Sequence, residues 1–185
     1  PEKVSHKSEF HVILSLDLCR KHGGTGRERK TGAIEEGSSA MAMIEDYRSA
    51  LRAGQRAYRA CVARGQSPYL AVLDDILNGV NIVAQEPLGL VDIPAESIVG
   101  TKTSGRHTAF AAKWSNLCEA HLEEGIHTPI IAYEYLNKFY VQEGNKRVSV
   151  LKYYEAVTIP GTVTRLVPAR NDTLENKIYY EFLDF

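Results

Sequence analysis

The sequence predicts a mixed α/β fold (α+β or α/β in class): a small mixed sheet with helices, preceded by an N-terminal helical hairpin. Three observations carry this. Residues 40–64 place apolar side chains every three or four positions, the period of a helix. From about residue 88, short β-branched and aromatic runs alternate with helical patterns. The 185 residues are 44% hydrophobic and 24% charged, which suits one medium domain, or one domain with a helical extension, around a real core.

In chain order, "FHVILSLDL" (10–18) reads as a short strand, and "HGGTGRERKTGAIEEGSS" (22–39) as a linker without periodicity. Gly23, Gly24 and Gly26 lack the GxxxxGK[ST] spacing of a phosphate loop. Ser38 and Ser39 are candidate N-caps for a helix over 40–64. Ile44, Tyr47, Leu51, Gly54, Tyr58 and Cys61 make its apolar stripe; Arg48, Arg52, Arg56 and Arg59 lie on another face. Those arginines read either as a solvated face or as a contact for phosphate or an acidic partner. The helix is also the candidate surface for a homodimer. Gly65 ends it, and Pro68 opens a second helix over 67–78, with Leu70, Val72 or Leu73, and Leu77 turned inward. The hairpin so formed spans 40–80.

The strand "LGLVDIP" (88–94) stops at Pro94, "AESIVG" (95–100) is a helical turn, and "TKTSGRH" (101–107) is a basic loop. A helix over 108–125 carries Phe110, Trp114, Leu117 and Leu122 near one face and ends at Gly125. "TPIIAYEYL" (128–136) and "KFYVQE" (138–143) read as paired strands, with Asn137 and Lys138 near the turn. A helix follows over 144–156 and a strand over 161–168. In the tail 171–185, "ENKIYYEFLDF" (175–185) is apolar with interspersed acids, and its pattern fixes neither helix nor strand.

Composition removes several classes of function. With 22 Lys and Arg against 23 Asp and Glu, the net charge of −1 excludes a protein that coats nucleic acid or membrane by charge alone. Cys19, Cys61 and Cys118 are scattered, with no CxxC, which argues against a disulfide framework or a zinc site and for small buried residues in a reducing compartment. No apolar run approaches the ~20 residues of a membrane span. The N-terminus "PEKVSHKSEF" lacks a signal-peptide core, so a cytoplasmic location is expected. Its opening proline fits a trimmed end or a piece of a longer protein.

The chemistry concentrates in "FYVQEGNKRVSVLKYY" (139–154). Gly144 lets a strand turn into a helix, and the first N–H groups of that helix, at the positive end of its dipole, form an anion site. Lys146 adds a mobile charge and Arg147 a fork able to hold phosphate in two contacts. Cations in a first helical turn oppose the dipole by a few tenths to ~1 kcal/mol each, a conflict that a bound anion removes. The plain alternative is a corner whose charges face water. A second candidate is "TSGRHTAF" (103–110): Ser104, Gly105, Arg106 and Thr108 offer phosphate donors, and His107 an acid or base near neutral pH. There too a capped helix start is the alternative. Across 100–170 nine Lys/Arg face six Asp/Glu, a local excess of three (9 − 6).

These segments resemble the ParB/sulfiredoxin-like family, which includes ParB-like nuclease domains. The resemblance rests on "V.IP…IVG" (91–100), "EEGIHTPI" (123–130) and "KFYVQEGNKRVSVLKYYEA" (138–156), in the family's order, and covers about 88–168. Gly144 and Arg147 match its G-x-x-R-x-x-A box, with Val150 where alanine is usual. Details of 99–111, 117–126 and 139–152 are similar to a bacterial subgroup in which a solute-binding-type domain is expected to follow in a longer polypeptide. The ParB-like domain would then span 81–170, after a strand and linker (1–39) and the hairpin.

The resemblance implies a nucleotide or nucleic acid at the box, Gly144-Asn145-Lys146-Arg147, with Mg2+ accompanying a nucleoside triphosphate and slow hydrolysis as one outcome. A metal-dependent nuclease with Glu143 and His107 as catalytic residues is the alternative, and a non-catalytic interaction module a third. Sulfiredoxin chemistry needs a cysteine in the box, where this chain has Asn145 and Lys146. Relatives with an acid–glycine–His–His–Arg box differ: this chain keeps Glu143 before Gly144, where it could hold a metal or act as a base, but has no histidine after the glycine. The bland role for Glu143 is a strand-end carboxylate pairing with Lys146.

Overall fold

The computed structural model describes residues 36–67, 69–103 and 110–184. The strand expected at 10–18 and nearly all of the linker lie outside the described residues. Five helices and six strands follow in order: α1 (Glu36–Ala63), β1 (Ala71–Val72), α2 (Leu73–Ile76), β2 (Ile82–Pro94), β3 (Ile98–Thr101), α3 (Phe110–Glu123), β4 (Ile130–Tyr135), β5 (Lys138–Glu143), α4 (Asn145–Tyr153), β6 (Thr158–Pro168) and α5 (Leu174–Leu183). The strands form one six-stranded mixed sheet in the order β1-β3-β5-β4-β6-β2. This is the mixed α/β class the sequence predicts.

Two compact units divide the chain. The helical unit contains α1, α3 and Ser149–Glu155; the sheet unit contains Leu70–Gly105, His127–Val148 and Ala156–Phe185.

In the helical unit, Ala50, Gly54, Ala57 and Cys61 form the buried stripe of α1, while Tyr47, Leu51 and Tyr58 are only half-buried. Small residues on that stripe let α3 pack closely. From α3, Trp114 and Cys118 are fully buried, whereas Leu122, expected on the same face, is exposed. The Trp114 ring meets Tyr47 and Tyr153 edge-on at 5.6 and 5.4 Å, and its Nε1–H donates to Ser149 Oγ at 2.8 Å. Ser149→Ala is expected to orphan that buried N–H and to lower stability by about 1–3 kcal/mol, measured by urea unfolding. An unchanged midpoint would show that water replaces the hydroxyl.

Asp46, buried on α1, accepts hydrogen bonds from Tyr153 Oη (3.3 Å) and Tyr154 Oη (3.1 Å). Burial pushes the Cys118 thiol from its ordinary 9.0 up to about 12, against a lowering hydrogen bond from Tyr154. Tyr154 is raised too, by burial first and then by Cys118 and Asp46. In the sheet unit, burial raises Tyr140 and Tyr179 to about 12 from the ordinary 10.0. The neutral forms are favoured in the fold, so an unfolded chain loses these protons at lower pH than the folded one. Stability should therefore hold to about pH 9 and fall progressively as pH rises from there toward 12. Thermal melts across that range test this, and Tyr140→Phe should flatten the slope.

In the sheet unit one core cluster joins Leu73 of α2 to Tyr135, Tyr140 and Leu166; Ile93, Ile130, Ala132, Val141, Ile159 and Val163 are buried as well. The helix expected over 67–78 is a single turn. Ala71 and Val72 instead pair in parallel with Gly100 and Thr101. A Cβ at Gly100 would lie 2.2 Å from the Ala71 carbonyl oxygen, so glycine is what allows β1 to reach the sheet. The expected helical hairpin is thus absent, and its two arms fall in different units. Helix α1 begins at Glu36, which places Ser38 and Ser39 inside it rather than at its cap. The expected turn over 95–100 is a 3-10 turn at Ala95–Ser97 running into β3, and the tail is helical.

Candidate functional site

Strands β4 and β5 meet in a tight turn at Leu136 and Asn137, both with left-handed φ (51° and 59°). The hairpin brings Glu143 opposite Ile131 at the far end of β5. Gly144 follows with φ +99°, and a Cβ there would stand 2.7 Å from Ile130 Cγ2 and 3.2 Å from Arg147 Cζ. Only glycine fits both the torsion and the space. Helix α4 then opens, its first backbone bond running from Val148 N–H to Gly144 O at 3.0 Å. The N–H groups of 145–147 precede any intrahelical acceptor.

The first turn of α4 holds Lys146 and Arg147 and no acid. Arg147 is turned toward the protein: Nη1 donates to Thr128 O (2.9 Å) and Pro129 O (2.6 Å). Its Nη2 lies 3.7 Å from Glu143 Oε1, and its side chain is 15% exposed against 68% for Glu143. The fork expected to grip phosphate therefore staples the approach to β4 onto the helix start. The carboxylate expected beside Lys146 pairs with Arg147. Asn145, the variable first position of the box, buries its Oδ1 without a hydrogen-bond partner.

The structure thus brings Glu143, Gly144, Asn145, Lys146 and Arg147 together at one strand-to-helix corner. Ser104, Gly105, Arg106, His107 and Thr108 lie outside the described residues. Thr128 and Pro129 are the part of the corner that residue-by-residue reading missed, because they act through their carbonyls. The Pro129-Ile130 match to the family pattern was the only signal. Among the described residues no group of three or more His, Cys, Asp or Glu could hold a metal, and no helix is long and apolar enough to cross a membrane.

No family model and no curated protein matches this sequence. Among solved structures the chain is similar to sulfiredoxin from Arabidopsis thaliana, at 22% identity and a TM-score of 0.35, over 40% of this chain and 82% of that one. It is also similar to the C-terminally truncated chromosome-partitioning protein ParB from Caulobacter crescentus, complexed with CTP-gamma-S, at 19% identity and a TM-score of 0.37. That match covers 52% of this chain and 54% of the ParB chain, so this chain spans about half its length.

Proposed function

We propose that the corner Gly144–Arg147 binds the phosphates of a nucleotide, in the manner that its resemblance to the ParB-like box implies. The observation that carries the reading is the corner itself: a left-handed glycine with no room for Cβ opens a nine-residue helix whose first turn carries two cations and no acid. Lys146 supplies the mobile charge. Arg147 contributes its own charge while holding the 128–129 carbonyls. Glu143 is a single carboxylate at the rim. That suits Mg2+ arriving on a triphosphate and keeping its waters, and it does not suit a metal caged by protein alone.

The test is a thermal-shift panel of ATP, CTP, GTP and UTP with and without Mg2+. At a hundredfold excess over Kd, the right nucleotide adds about 2.7 kcal/mol, or roughly 5–10 °C in a chain of this length. Lys146→Ala should remove most of that shift, read against the variant's own ligand-free Tm. Arg147→Ala should lower both, because it also releases two carbonyls. Absence of a shift with every nucleotide overturns the proposal.

A further inference from the structure

The helical unit carries a second basic feature, remote in sequence from the box. On α1, Arg48, Arg52, Arg56 and Arg59 are all exposed. At 100° per residue they fall within about 80° of one another, opposite the buried Ala50, Gly54, Ala57 and Cys61. Their span is about 16 Å along the helix. Glu45 is the acid on this face, paired with both Arg48 and Arg52, so the face keeps an excess of three positive charges (4 − 1). Such a ridge fits three occupants: a nucleic-acid backbone, an acidic protein segment or a second copy of this chain.

The neighbouring side chains separate them. Between residues 45 and 59 the positions flanking the arginines are Ser49 and Gln55, and the nearest exposed large apolar side chain is Val62, one turn beyond Arg59. Protein interfaces draw their energy from clusters of buried aromatic and aliphatic anchors, which a single valine at the end of the ridge does not supply; phosphate contacts need none. A second copy would have to offer acids of matching reach. The exposed acids at the end of α3 in the same unit, Glu119, Glu123 and the adjoining Glu124, cover only about half that length. The residue type points the same way, since guanidinium forks hold phosphate oxygens in paired contacts. We propose that the Arg48–Arg52–Arg56–Arg59 ridge of α1 binds the phosphate backbone of a nucleic-acid duplex, without reading its bases.

Fluorescence anisotropy of the full chain with a labelled 20-base-pair DNA duplex tests this. Four phosphate contacts at a salt slope of about −0.9 each predict binding roughly a hundredfold weaker at 200 mM than at 50 mM salt. Arg56→Glu with Arg59→Glu, or the milder double change to Gln, should keep the circular dichroism spectrum, weaken binding at least tenfold and lower the slope by about two. The same double changes should leave the nucleotide thermal shift unchanged, which separates this ridge from the nucleotide corner. The proposal falls if the wild type does not bind at 50 mM salt, or if the charge reversal binds as well. It falls too if labelled polyglutamate binds as tightly as the duplex, or if sedimentation shows self-association that only the charge reversal abolishes.

Discussion

Glu134→Ala is expected to lower the unfolding free energy by about 3–5 kcal/mol, and Tm by roughly 6–20 °C. Glu134 sits in mid-sheet on β4 with its side chain 2% exposed, in register with Arg165 on the parallel neighbour β6. Oε2 accepts from Arg165 Nε at 2.7 Å, and Oε1 accepts from the Asn137 backbone N–H at 2.7 Å. One carboxylate thus satisfies a half-buried guanidinium and pins the left-handed turn between β4 and β5. Truncation strands the arginine and frees the turn. The reciprocal change discriminates between pair and pin. Arg165 is 26% exposed and can turn toward water, whereas the carboxylate cannot. Arg165→Ala, which leaves a buried charge with one donor, should therefore cost at least as much as Glu134→Ala. Urea unfolding of the two variants and the double mutant gives the coupling. If both single changes cost under 1 kcal/mol, the pair is a surface contact in solution and the assignment fails.

The same residue shows where sequence reading stops. "TPIIAYEYL" reads as a strand because β-branched and aromatic residues dominate it, and β4 and β5 form as expected. Its alternation puts Ile130, Ala132 and Glu134 on one face, and all three are buried. An acid at an inward position announces a partner, but nothing local says that the partner is 31 residues on. Leu70, Leu73 and Leu77 have helical spacing whether the helix runs one turn or three. The choice was made by pairing of Ala71 and Val72 with β3, a contact that no local pattern encodes. Strand β2 begins six residues before the expected start and runs through Pro87. On an edge strand, with register shifts at Pro87/Gly89, a missing N–H is tolerated. At the corner, glycine, helix start and charges were legible from order alone. The direction of Arg147 was not, since its acceptors are backbone oxygens 18 and 19 residues away.

Gly144→Ala should cost about 2–4 kcal/mol, from a left-handed torsion of about 1–2 and overpacking of about 1–3, relieved in part by adjustment. The added methyl meets Ile130 Cγ2 at 2.7 Å, and Ile130 is itself 1% exposed, so the contact cannot yield toward solvent. Displacing Ile130 also moves the strand start whose preceding carbonyls hold Arg147. The expected loss is therefore double: a lower Tm, and a weaker nucleotide shift even at temperatures where the variant remains folded. Ile130→Leu in the same chain removes the obstructing Cγ2 methyl by moving the branch from Cβ out to Cγ, at nearly constant volume. If it restores part of the Tm but not the nucleotide shift, the glycine's torsion, and not its lack of bulk, sets the direction of the 145–147 N–H groups. Recovery of both would mean that space alone is required there. A Gly144→Ala protein with unchanged Tm would show that the corner adopts another torsion in solution, and the anion site proposed on it would lose its geometric basis.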